Sequence, residues 1–169
     1  MNTMSKGTAE RFVAKRVTRG YRQEIDGSPA EVFPLLCPVR ERDWLHGWEC
    51  NMLYSESGYA EEGGVFTTAG AEGETDTIWL ITRRDEPNHV IQFARITPGS
   101  RAVKLDIAVS ANGEGGSYVD IRYQFTALNE AGNRLTDGYS EEKFQKVMRF
   151  WERSMNHYLT TGEMLAPPS

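Results

Sequence analysis

The densest concentration of reactive side chains lies between Leu35 and Ser55, in LLCPVRERDWLHGWECNMLYS. Cys37, His46 and Cys50, with Glu41 or Asp43 as a fourth member, are ligand types that suit zinc. Their spacing is not one of the compact paired forms that structural zinc sites use. The bulkier reading is that the two thiols are inert, since an unreactive cysteine behaves as a small buried hydrophobe. Trp44 and Trp48 are four residues apart and would share one side of a helix if it ran on through Gly47. There they either close one end of a pocket or fill the corner where a helix meets a sheet. Arg40, Glu41, Arg42 and Asp43 alternate in charge, as solvated surfaces do. If Arg40 and Glu41 instead turned inward, they would need further hydrogen bonds to offset desolvation.

Elsewhere the chemistry is thinner. Tyr21, Tyr123, Arg95 and Glu41 are the groups that could donate or accept a proton next to a substrate. The three histidines fall at a helix end, in a turn and on a helix flank, so no Ser-His-Asp or Cys-His arrangement can be assembled. AEGETDT spaces acidic residues at every second position but lacks the later bidentate Glu of a calcium loop. NGEGGS lies between two strand patterns and opens no helix, so it reads as a turn and not as a phosphate loop.

These residues must be positioned by a particular order of elements. VTRGYRQEID alternates as a strand, with Val17, Arg19, Tyr21, Gln23 and Ile25 on one face. Ser28 is placed to cap a short helix beginning at Pro29, and Pro34 and Pro38 limit its length; a second short helix is expected from Val39 to about His46. Six further strand-like runs follow, separated by turn signals such as DEPN, PGS and NGEGG that suit antiparallel hairpins. Which face of the runs at 77–84 and 89–97 turns inward stays open, with Trp79, Phe93 and Arg95 favoured. The last element is a long helix between Ser140 and Gly162, whose Phe144, Val147, Met148, Trp151, Met155, Tyr158 and Leu159 fall within an arc of about 120°. Phe150 and His157 lie off that stripe and offer a contact surface to a loop or a second subunit.

A chain of 169 residues suits one domain, expected over 11–165 with flexible tails at 1–10 and 166–169. The net charge of -5 argues against a nucleic-acid partner, which would require clustered basic residues. No apolar run approaches the ~20 residues that cross a bilayer, and the first residues do not read as a secretory signal. A cytoplasmic protein without stable membrane association is the expectation, and no cofactor signature is present.

The stretches IDGSPAEVFPLL and RFWERSMNHYLTTGEML resemble the first strand and helix and the C-terminal helix of the START-like, or SRPBCC, helix-grip superfamily. CPVRERDWLHGWEC, YSESGYAEEGGVFTT and TALNEAGNRL are similar to an uncharacterised subgroup near its polyketide cyclase/dehydratase branch. The resemblance implies an α+β fold: a curved seven-stranded antiparallel sheet wrapped around a long C-terminal helix, two short helices after the first strand, and an apolar cavity between sheet and helix. The expected lining is Trp79, Phe93, Arg95, Leu105, Ile107, Tyr123, Phe144, Met148, Trp151 and Met155, with Trp44 and Trp48 near the mouth. Such a cavity implies binding of a small hydrophobic molecule, a lipid or polyketide-like compound. The alternatives are a cyclase/dehydratase-type enzyme acting on a polyketide-like carbonyl, and an interaction module that uses Phe150 and His157 or the PVRERD run. A homodimer is compatible with all three.

Overall fold

A computed structural model describes residues 11–167. The expected tail at 1–10, and the end of the one expected at 166–169, lie outside the described residues. Among the described residues the order is β1 (Arg16–Ile25), α1 (Pro29–Val32), a 3-10 turn (Phe33–Leu36), α2 (Pro38–Trp44), β2 (Asn51–Tyr54), β3 (Val65–Thr68), β4 (Thr77–Asp85), β5 (Val90–Thr97), β6 (Arg101–Ala111), β7 (Ser117–Ala127), α3 (Glu130–Gly138) and α4 (Glu141–Thr161). The strands form one antiparallel sheet in the order β1-β7-β6-β5-β4-β3-β2, so the first strand returns to pair with the last. This is the seven-stranded helix-grip arrangement implied by the sequence.

Local chemistry explains the boundaries. The Ser28 hydroxyl accepts from the Glu31 N–H, and the Glu31 carboxylate accepts from the Ser28 N–H at 2.8 Å, a reciprocal cap with Pro29 in the first turn. At the other end of the chain Ser140 caps α4 by accepting from the Lys143 N–H, and Gly162 stops it with a left-handed φ of 74°. Phe144, Met148 and Met155 are fully buried on the sheet side of α4, whereas Val147, expected on the same stripe, is exposed at its margin.

Registers settle which strand faces look inward. Phe66 pairs with Trp79, Trp79 with Arg95, Arg95 with Val103, Val103 with Phe125 and Phe125 with Val17, giving one row across the inner face. Phe93, Leu105, Tyr123 and Arg19 form the next row. Trp79, Ile81 and Phe93 are buried while Ile78 and Leu80 are exposed, so the first three face inward; Arg95, in register with Trp79, is half-buried. Gln23, polar on a dry face, is accounted for: its amide donates to the Met148 carbonyl of α4 at 3.0 Å.

The sequence reading has no helix at 130–138, because two glycines and few apolar residues give it no periodic stripe. α3 forms through its cap and its fit. The Asn129 side chain accepts from the Gly132 N–H at 2.8 Å and donates to the Gly99 carbonyl at 2.6 Å. Gly132 lies against the Ser100 carbonyl, where a Cβ would collide with main chain. By contrast, a Cβ on Gly138 would meet open space.

We therefore expect Gly132→Ala to destabilise the fold by about 1–3 kcal/mol, as forced overpacking does. Gly138→Ala should be neutral or stabilising by up to about 1 kcal/mol. Urea unfolding of the two variants checks this; equal midpoints would show that α3 is not docked as described.

Candidate functional site

α2 presents Pro38, Glu41 and Trp44 inward, at helical spacing. Trp44 is 1% exposed and donates its indole N–H to the Leu35 carbonyl at 2.9 Å, so it belongs to the core and not to a mouth. The helix ends at Trp44, and Gly47 turns the chain with a φ of 81°, which breaks the shared face expected for the two indoles. Trp48 is half-buried, donates to the Pro38 carbonyl at 2.8 Å and meets Trp79 edge-on at 5.9 Å. Trp79 stacks on Phe66 at 5.2 Å and receives Phe93 edge-on at 5.8 Å.

These rings interlock, and among the described residues the space they leave between sheet and α4 is small, in place of the roomy cavity expected. The space bounded by Trp48, Trp79, Phe93, Leu105, Ile107 and Trp151, together with Pro38, Glu41 and Phe66, measures about 10 Å³. That holds at most one water molecule. Of the predicted lining, Phe144, Met148 and Met155 act as solid core. Phe66, Pro38 and Glu41 join the lining unexpectedly.

Glu41 corrects the solvated reading of its charge run. Arg40 and Asp43 do pair outside, at 3.0 Å, but Glu41 is 7% exposed and faces the aromatic void. Burial alone pushes its carboxyl well above the ordinary range, and no hydrogen bond or cation among the described residues counters it. It is therefore held as a neutral acid far into the pH range where a surface glutamate is ionised. The signal was present in the sequence: 38, 41 and 44 are spaced as one helix face.

A larger recess opens where α3 covers the other end of the sheet. It measures about 280 Å³ and is lined by Arg95, Arg101, Phe125, Leu135, Thr136 and Tyr139. The Arg95 guanidinium lies over Trp79 at 5.1 Å, Tyr123 at 5.5 Å and Phe125 at 5.8 Å. Burial draws its pKa down, and burial raises that of Tyr123, partly opposed by Arg95 itself. Arg101, on the rim, is paired with Glu74 at 3.2 Å, so the AEGETDT loop is tied to the sheet here and is not simply solvated. Leu135, Thr136 and Tyr139 escaped the sequence reading because α3 did, and Arg101, which opens β6, because its place in the recess depends on the same packing. Three wider depressions, of about 460, 630 and 510 Å³, lie on outer surfaces around Gly20, Glu49 and Tyr59 and do not reach this interior.

The remaining candidates are dispersed. Tyr21 donates to Glu152 on α4 at 3.3 Å, away from Glu41 and Arg95. Cys37 is buried, its sulfur accepting from the Ala60 N–H; the Cys50 thiol donates to the Pro38 carbonyl and burial raises its pKa. His46 is exposed. Among the described residues no three His, Cys, Asp or Glu side chains converge on a metal position. No helix among them is long and apolar enough to cross a membrane.

No protein-family model and no curated protein sequence matches the chain. Solved structures do match it. Norcoclaurine synthase from Thalictrum flavum superposes with a TM-score of 0.65 at 9% identity, covering 95% of this chain and 99% of that one. Ara h 8.0201 gives 0.63 at 17%, over 87% and 99%. An uncharacterised protein from Rhizobium leguminosarum gives 0.61 at 15%, over 88% and 97%. At such identities the likeness is one of architecture, and with the strand order and the gripped α4 it gives this chain the helix-grip fold.

Proposed function

We propose that this protein binds a small hydrophobic molecule, lipid-like or polyketide-like, in the recess beside α3, as a single-domain cytoplasmic binder. The observation that carries the reading is the recess itself, whose apolar lining includes Phe125, backed by the Tyr123 ring stacked on it, and whose rim is Leu135, 47% exposed. Its volume of about 280 Å³ falls just below the range for small-molecule sites, about 300 Å³ and upward. Trp79 separates it from the inner void, so a shift of Arg95 and Trp79 would join the two spaces and bring Trp48, Phe93, Leu105, Ile107 and Trp151 into contact with a longer guest.

N-phenyl-1-naphthylamine, an uncharged fluorescent probe, is expected to bind the protein at micromolar concentration, and Leu135→Asp should weaken it about tenfold or more, since a charge would enter an apolar rim. Absence of saturable binding, together with no compound released from natively purified protein on solvent extraction and mass spectrometry, would overturn the proposal.

One observation favours a second reading, an enzyme of the cyclase or dehydratase type. Glu41 is a neutral acid facing an aromatic-lined space, as a general acid has to be. One structural neighbour is a synthase by name, so the fold admits chemistry. In this reading Glu41→Gln lowers turnover of a polyketide-like carbonyl compound by a hundredfold or more, and unchanged turnover removes Glu41 from the reaction.

The protonation state has its own test. Below the ordinary glutamate value of 4.5, folded and unfolded chains both hold the Glu41 proton. Above it the unfolded chain releases the proton while the folded chain keeps it, so stability falls as pH rises, by up to about 1.4 kcal/mol per pH unit, until the raised folded-state value is passed. Melting temperatures of Glu41→Gln relative to the native chain should accordingly climb as pH rises above 4.5. Parallel curves would mean that Glu41 is ionised in the fold.

A further inference from the structure

Arg95 is the one charged side chain in its inner-face row, between Trp79 and Val103. Three aromatic rings surround its guanidinium, and among the described residues it has neither a carboxylate partner nor a hydrogen bond. Rings attract a cation but cannot take up its in-plane N–H donors, which need acceptors. A second donor beside it is also unused: the Thr136 hydroxyl oxygen is buried and has no hydrogen-bond partner among the described residues. Both line the 280 Å³ recess. The other guanidinium there, that of Arg101, is already matched by Glu74.

Local charge is therefore in excess by one positive unit, in a space with an apolar floor and two idle donors. We propose that Arg95 anchors a monoanionic head, a carboxylate carried on a compact apolar body, with the Thr136 hydroxyl as a second donor to it. A carboxylate offers two oxygens in a plane to the two parallel N–H bonds of a guanidinium, and one negative charge balances the excess. A phosphate dianion would need a second free cation, and Arg101 is engaged. This rests on the ligand-binding reading above and narrows it to a class of ligand.

Three probes of matched shape separate the two ideas by isothermal titration calorimetry: 2-naphthoate, 2-naphthylmethanol and 2-naphthyl phosphate. The native protein should bind 2-naphthoate at least tenfold more tightly than the alcohol. Arg95→Met, with its fold checked by circular dichroism, should bring naphthoate down to the level of the alcohol and leave the alcohol within about threefold. Arg95→Lys should keep only part of the preference, because a point charge lacks the planar fork. Equal binding of acid and alcohol by the native protein would overturn the anchor and leave the hydrophobic-ligand reading standing; this comparison needs no variant. Tighter binding of the phosphate than of the carboxylate would overturn the assignment to a monoanion. If none of the three binds, both the anchor and the reading beneath it fail.

Discussion

The depth at which α4 rests on the sheet governs the interior of this molecule, and several polar clasps to β1 and the residue after it hold it. The Gln23 amide donates to the Met148 carbonyl, the Glu152 carboxylate accepts from the Glu24 N–H, and Asn156 bridges the Asp26 N–H and the Glu24 carbonyl. The first of these is buried, where breaking one member strands the other in an apolar medium. With α4 held so close, Phe144, Met148 and Met155 become solid core. Among the described residues the larger recess lies where the cover changes from α4 to α3.

Within that core the polar groups are few and unusually placed. Glu41 faces a void scarcely larger than a water, and Arg95 lies among rings, each without a partner of opposite charge among the described residues. Proteins seldom keep an isolated ionisable group inside without a use for it, because desolvation is costly and a hydrophobic residue of the same volume would pack better. Two such groups in one small interior separate this molecule from an ordinary packed domain, and they make its chemistry more specific than the fold, which hosts many functions.

Much of the architecture could be read from the chain because each signal was local. The cap at Ser28, the stop at Gly162 and the alternation in β6 and β7 depend on neighbours within a few residues, and the resemblance joined them into one topology. What escaped depended on distant contacts. α3 is held by Asn129 reaching Gly99 and by Gly132 lying on Ser100, neither of which leaves a periodic trace. The size of the cavity was equally invisible: pattern favours Trp79 and Phe93 as inward without deciding it, and only their stacking geometry shows that they fill the space. Glu41 was lost for another reason, since the charges beside it made a surface of α2 and masked the spacing that turns it inward.

Trp79 is a party wall. One face of its indole carries the Arg95 guanidinium and the ring also borders the chamber into which Glu41 looks, with Phe66 stacked against it. A guest that drew the guanidinium aside would also disturb the ring bordering the chamber of Glu41 on α2, so the proposed occupancy of the outer compartment and the proton affinity of the inner one would bias each other by the same factor.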